Sequence, residues 1–160
     1  MTIKNPRVPK YRIALVREKV LTVDYGGTQI PVSTKAAAIC REIVSDVDRE
    51  NLVVLTLDNK NKIIGVNVVS VGTINMTLAQ PREILKLAIL QNASSIIMGH
   101  NHPSGDPTPS TEDREAYHRL DDACRLLGIK LLDGIILGDE AYWSMTDKGV
   151  SRYAAINTIV

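Results

Sequence analysis

The chain holds only two cysteines, Cys40 and Cys124, both in helix-like stretches and without Cys-x-x-Cys spacing. That excludes a disulfide framework and a cysteine-based metal knuckle, and two buried free thiols suit a reducing cytosol. Any metal here has to be held by histidine and carboxylate. No run approaches the ~18 apolar residues of a membrane span. The stretch after Met1 is polar and carries Pro6 and Pro9, with no apolar segment of a secretion signal. There is no internal repeat and no low-complexity stretch. Net charge is only +1, so the overall field selects no class of partner. These absences point to a cytoplasmic protein without a membrane partner.

What remains is an ordinary globular composition, 44% apolar and 23% charged. A length of 160 residues fits one domain of roughly 100–200 residues that can bury a sizeable core. Charge is uneven at the start: Lys4, Arg7, Lys10, Arg12 and Arg17 lie within residues 1–17, with no acid among them. That basic stretch is a solvated tail or a contact for an anionic surface such as nucleic acid.

Residues 1–9 read as a flexible basic tail and 10–32 as an N-terminal β extension, because Tyr11-Arg-Ile-Ala-Leu-Val is apolar and extended and Gly26-Gly27 marks a turn. Ser33 or Thr34 caps a helix through about Val47. Residues 51–57 form a nearly all-apolar strand, expected to be central and covered on both faces. Asp58-Asn-Lys-Asn turns it back into a second strand over 62–71. Pro81 opens a helix to about Gln91, with Ile84, Leu85, Leu87, Ala88 and Leu90 as its apolar face. Residues 94–99 are another buried strand. A Pro/Gly loop over 100–109 leads into a helix from Ser110 to Leu127, stopped at Gly128. Residues 129–137 and 141–145 read as closing strands, and 148–160 as a C-terminal tail. Alternating strands and helices predict a single-domain α/β layered sandwich around a mixed sheet.

The chemistry sits in His100-Asn-His-Pro-Ser-Gly-Asp-Pro-Thr-Pro-Ser-Thr-Glu-Asp113. On an extended chain, alternate side chains face one way, so His100 and His102 can point at one spot. A stiff loop with Pro103, Gly105, Pro107 and Pro109 can carry Asp113, in the first turn of the next helix, back over the strand end. Two imidazoles and a carboxylate leave a fourth tetrahedral position open, which is the catalytic pattern for zinc. Zinc lowers the pKa of water held there to roughly 7. Ser110-x-x-Asp113 also has the form of a helix capping box. A base is still needed, and Glu50, just before the buried strand, is the best placed. Asp58 lies in a turn, Asp133 in a closing strand without partners, and His118 off the Asp113 face of its helix.

These residues resemble the JAMM/MPN (Mov34/PAD) metalloproteases, whose pattern is a distant Glu, His-x-His, seven residues, then Ser-x-x-Asp. The match is Glu50, His100, His102, Ser110 and Asp113, with both spacings intact. His100-Asn-His-Pro-Ser-Gly-Asp-Pro-Thr-Pro-Ser, Leu57-Asp-Asn-Lys-Asn, Gly72-Thr-Ile-Asn, Pro81-Arg-Glu and Leu131-Leu-Asp are closer still to the RadC-like bacterial branch, over roughly residues 33–147. The resemblance implies a cytidine-deaminase-like α/β/α sandwich. It implies one zinc ion per chain on His100, His102 and Asp113, with Glu50 as general acid/base and Ser110 stabilising the oxyanion. It implies hydrolysis of peptide or isopeptide bonds in a peptide or protein substrate. Two departures stand out. Longer RadC relatives carry an N-terminal helix-hairpin-helix-like domain, and only about 32 residues precede the JAMM-like part here. Gly134 stands where relatives commonly have His after Leu-Leu-Asp.

A second reading is a DNA-repair-associated accessory or nucleic-acid-binding protein, for which the basic N-terminus is the local support. His-Asn-His shares letters with HNH nucleases, but no ββα unit surrounds it. A zinc deaminase needs His-x-Glu and Pro-Cys-x-x-Cys, and neither is present. A metal-free scaffold would not need the intact ligand set.

Overall fold

The computed structural model describes residues 10, 12–20, 32–44, 49–72 and 80–153. In chain order the elements are α1 (Val32–Ile43), β1 (Asn51–Leu57), β2 (Ile63–Val71), α2 (Pro81–Ile84), α3 (Lys86–Gln91), β3 (Ser95–Asn101), α4 (Thr111–Leu126), β4 (Lys130–Leu137), β5 (Ala141–Ser144) and β6 (Gly149–Arg152). The fold is a single α/β domain with one mixed six-stranded sheet, in the order β2-β1-β3-β4-β5-β6. Among the described residues, only β3 and β4 pair in parallel. Parallel neighbours need a crossover, and α4 supplies it.

All seven residues of β1 are buried, as the nearly all-apolar run leads one to expect. Their alternation divides the core. Leu52 and Val54 join Ile96 and Met98 of β3 beneath Ala116, Leu120 and Cys124 of α4, with Ile84, Leu85 and Ala88 alongside. Val53, Leu55, Leu57 and Ile97 join the other cluster, with Ala36, Ala37, Ile39 and Cys40 of α1. Both clusters draw on β1 and β3, so these central strands are buried on either face. A Cβ on Gly99 would lie 2.7 Å from Cys40 Sγ, so the missing side chain is what lets α1 sit directly on β3.

Three expectations are corrected. Residues 12–20 form no strand and are exposed, with Ile13 at 74% and Val16 at 88%, so the expected β extension is absent there. Their apolar spacing suits a strand, but no strand of the sheet pairs with them. Residues 21–31 of that stretch lie outside the described residues, as do the 1–9 tail and residues 45–47 of the first helix. The helix expected over 81–91 is divided at Leu85 into α2 and α3, although Leu85 N–H still donates to Pro81 O at 2.9 Å and Leu85 O accepts from Ile89 N–H at 3.0 Å. Ile84, Leu85 and Ala88 enter the core, while Leu90 stays 40% exposed. Finally, the expected C-terminal tail begins with β6, which pairs with β5 through Tyr142↔Ser151 and Trp143↔Val150. Among the described residues, no helix is long and apolar enough to cross a membrane.

Replacing Gly99 with Ala is expected to destabilise the fold by about 1–3 kcal/mol through overpacking against Cys40. Urea unfolding of G99A beside G99A/C40A checks this: removing the sulfur should recover part of the loss.

Candidate metal centre

The sheet register places the site. His100 pairs with Leu52 across the antiparallel β1–β3 ladder and lies on the α4 side, with Ile96 and Met98. Glu50 precedes Leu52 by two residues, so alternation turns it to the same side. His102 has left the ladder with β1 but still bonds β4, its N–H donating to Leu137 O at 2.9 Å. The loop then brings the N-terminus of α4 over the strand ends.

The donor atoms converge. His100 Nε2 lies 3.0 Å from His102 Nε2 and 3.2 Å from Asp113 Oδ1. His102 Nε2 lies 3.4 Å from Asp113 Oδ2. Ligand atoms of the three residues all fall within 4.8 Å of one another. Donors on a tetrahedral metal with bonds of about 2.0–2.1 Å stand roughly 3.3 Å apart, so this triangle has the size a metal ion requires. Its chemistry fits too. His102 Nδ1 faces the Asp106 carbonyl at 2.8 Å. A carbonyl only accepts, so Nδ1 carries the proton and the neutral ring offers Nε2 as a lone pair, the usual second-sphere arrangement of a metal-bound histidine.

Asp113 also caps its helix. Its Oδ2 accepts from Ser110 N and Ser110 Oγ, each at 2.7 Å, and its own N–H donates back to Ser110 Oγ at 3.1 Å. Capping box and ligand set are rival readings of the sequence; the capping box is present, and the same carboxylate also stands against both histidines in a cluster that could hold a metal ion. Burial raises the Asp113 carboxyl, but hydrogen bonds from His100, His102 and Ser110 outweigh it and hold the group well below the usual carboxylate range. The hydrogen bond to Asp113 raises His102 above its ordinary value of 6.5, against the lowering by burial. Glu50 Oε1 is 4.0 Å from His100 Nε2. Burial pushes the Glu50 carboxyl up, and the two histidines partly offset that.

A model of the RadC-like JAB domain matches residues 30–150. The chain belongs to this family. It is 45% identical over 114 residues to a UPF0758 protein of Desulfitobacterium hafniense, covering 71% of this chain and 50% of the relative. It is 50% identical over 103 residues to one from Caldanaerobacter subterraneus subsp. tengcongensis, covering 64% and 44%. Against one from Methanosarcina acetivorans it is 47% identical over 104 residues, covering 65% and 45%. The chain thus spans about half the length of the curated relatives it matches.

Around this RadC-type site the structure adds what spacing did not show. Asn101, between the two histidines, is buried and reaches back to the chain on both sides of Glu50. Its Oδ1 accepts from Asn51 N–H at 2.8 Å, and its Nδ2 donates to Arg49 O at 2.9 Å. Gly134 has no room for a larger residue, since its Cβ would meet Tyr117 Cδ2 of α4 at 2.7 Å. Asp133, expected to lack partners, is buried and bonded to Gly134 N, Ser144 Oγ and Thr146 N, so it ties β4 to β5 and the turn beyond. Asp58 closes its turn by accepting from Lys60 N and Lys62 N. His118 is exposed and stands off the cluster against Tyr117. A cleft of about 190 Å³ opens on the α1 side of His102, beside Arg41, Pro103, Gly138 and Tyr153.

Because Asp113 raises the His102 pKa, a metal must displace a proton that an ordinary imidazole would already have lost. Affinity for zinc is therefore expected to climb about tenfold per pH unit below that raised pKa and to flatten above it. Calorimetric titration of the metal-free protein in buffers of different ionisation enthalpy would show about one proton released at mildly acidic pH. A flat affinity from pH 6 to 8 would contradict it.

Proposed function

We propose that this chain is a zinc-dependent hydrolase of the JAMM type that cleaves peptide or isopeptide bonds. The observation that carries the reading is the triangle of His100, His102 and Asp113 with a half-buried Glu50 carboxylate 4.0 Å from His100. A zinc ion there would supply Lewis acidity and make water acidic enough to be deprotonated near neutral pH. Glu50 takes that proton. Its raised pKa makes it a stronger base than an exposed glutamate and leaves it able to return the proton to the departing nitrogen.

Ser110 is the donor for the oxyanion. Its single hydroxyl proton faces Asp113 Oδ2. Donation to substrate means rotating that proton away, and the Ser110 N–H, also 2.7 Å from Oδ2, keeps the carboxylate in place meanwhile.

The layering belongs to the same proposal. Helices packed against both faces of the sheet support an α/β/α sandwich of the cytidine-deaminase type. So does the cytosol as its compartment: Cys40 and Cys124 are buried, and burial pushes their thiols up to about 12 and about 11, so neither is poised to form a thiolate.

Glu50→Gln is expected to cut hydrolysis by about 10²–10⁴-fold, the range for loss of a general base, with zinc content unchanged by elemental analysis. Asp113→Ala should lose the zinc itself. Full activity in E50Q would remove Glu50 from the mechanism.

A further inference from the structure

Glu50 stands one residue outside β1, where the sheet no longer holds it on the β3 side. At the same level β3 turns away toward β4: the last β1 pair is Leu52↔His100, and His102 bonds Leu137 of β4 instead. The ladder that would hold the Glu50 backbone against β3 therefore ends just before it is needed.

The Asn101 carboxamide takes over from the ladder. An amide side chain offers one acceptor and one donor, the same pair that a peptide unit offers. Asn101 accepts from the N–H following Glu50 at 2.8 Å and donates to the carbonyl preceding it at 2.9 Å. The Asn51 side chain adds a second donor to Arg49 O at 3.0 Å, and Gly72 N–H donates to Glu50 O at 3.0 Å from the β2 side. Asn101 is only 6% exposed, so water does not compete for these bonds. It also sits between His100 and His102. Its backbone therefore moves with the ligand pair, while its side chain grips the base.

We propose that Asn101 is a positioning residue, coupling the placement of Glu50 to the metal-ligand strand so that the base keeps a fixed distance from the ion. This rests on the reading of Glu50 as the proton acceptor. Only a carboxamide of this length supplies both bonds. The substitution Asn101→Asp would keep the acceptor for Asn51 N–H but set a carboxylate against the Arg49 carbonyl. Asn101→Ala would lose both bonds.

The test uses the full chain loaded with zinc for crystallography and with cobalt(II) for spectroscopy. In N101A, His100, His102 and Asp113 should hold the ion as before, while the Glu50 carboxylate moves away from its place 4.0 Å from His100 Nε2. The pH midpoint of the cobalt absorption spectrum should shift in N101A toward the value of E50Q. N101D is isosteric and keeps one bond, so it covers the case in which N101A fails to fold. A Glu50 carboxylate that stays in place in either folded variant, or a midpoint that stays put while that of E50Q moves, overturns the proposal. Loss of cobalt binding by N101D would overturn it too, since Asn101 would then be ordering the ligands and not the base. A midpoint unmoved even in E50Q would instead sink the reading of Glu50 on which the proposal rests.

Discussion

The Asp113 carboxylate serves the helix cap and both histidines at once, and the site depends on that double use. Oδ2 receives two donors from Ser110, which ties the first turn of α4 to the loop before it. Oδ1 faces His100. Asp113 is only 3% exposed, and a buried carboxylate stripped of its partners typically costs about 3–5 kcal/mol. The residue is therefore tolerable only where helix cap and histidines meet. The position of α4 over the sheet and the shape of the ligand triangle are fixed by one side chain. A change that moves the helix moves a ligand, and a change that removes the ligand uncaps the helix.

Strand register does the rest of the positioning. Side chains on one face of a sheet stand at a fixed pitch, so Leu52 opposite His100 turns Glu50 to the same face as the histidines. A slip of one residue in β1 would send Glu50 to the α1 face. The slip is opposed because it would also exchange the two core clusters, with Leu52 and Val54 on one side and Val53, Leu55 and Leu57 on the other. The packing that stabilises the domain is thus the same packing that aligns base and ligands. Where the ladder ends, Asn101 continues it by side chain.

The legible parts of the chain were those governed by local rules. The apolar run of β1, the cap at Ser110 and the stop at Gly128 each follow from a few neighbouring residues. The spacing of His100, His102 and Asp113 was legible because ligand geometry imposes it on the chain directly. What escaped was set at long range. Asn101 grips residues 50 and 52 positions away, and nothing near it announces those partners. The bonds of Asp133 to Ser144 and Thr146 reach 11 and 13 residues ahead into a turn. Residues 12–20 show the converse error. Their alternation is that of a strand, but pattern supplies only a willingness to pair, and the pairing itself depends on an available edge.

Proton and metal compete for one arrangement. In the absence of a cation, Asp113 stabilises a protonated His102, so its raised pKa reflects a site shaped for positive charge between two rings and a carboxylate. A divalent ion held by His100, His102 and Asp113 would meet that need more fully, with both rings neutral. The His102 Nδ1 bond to the Asp106 carbonyl holds the ring with Nε2 turned toward His100 and Asp113. The stiff Pro-rich loop then has a physical purpose beyond joining β3 to α4. It keeps a carbonyl oxygen fixed behind His102, and with it the direction of the lone pair.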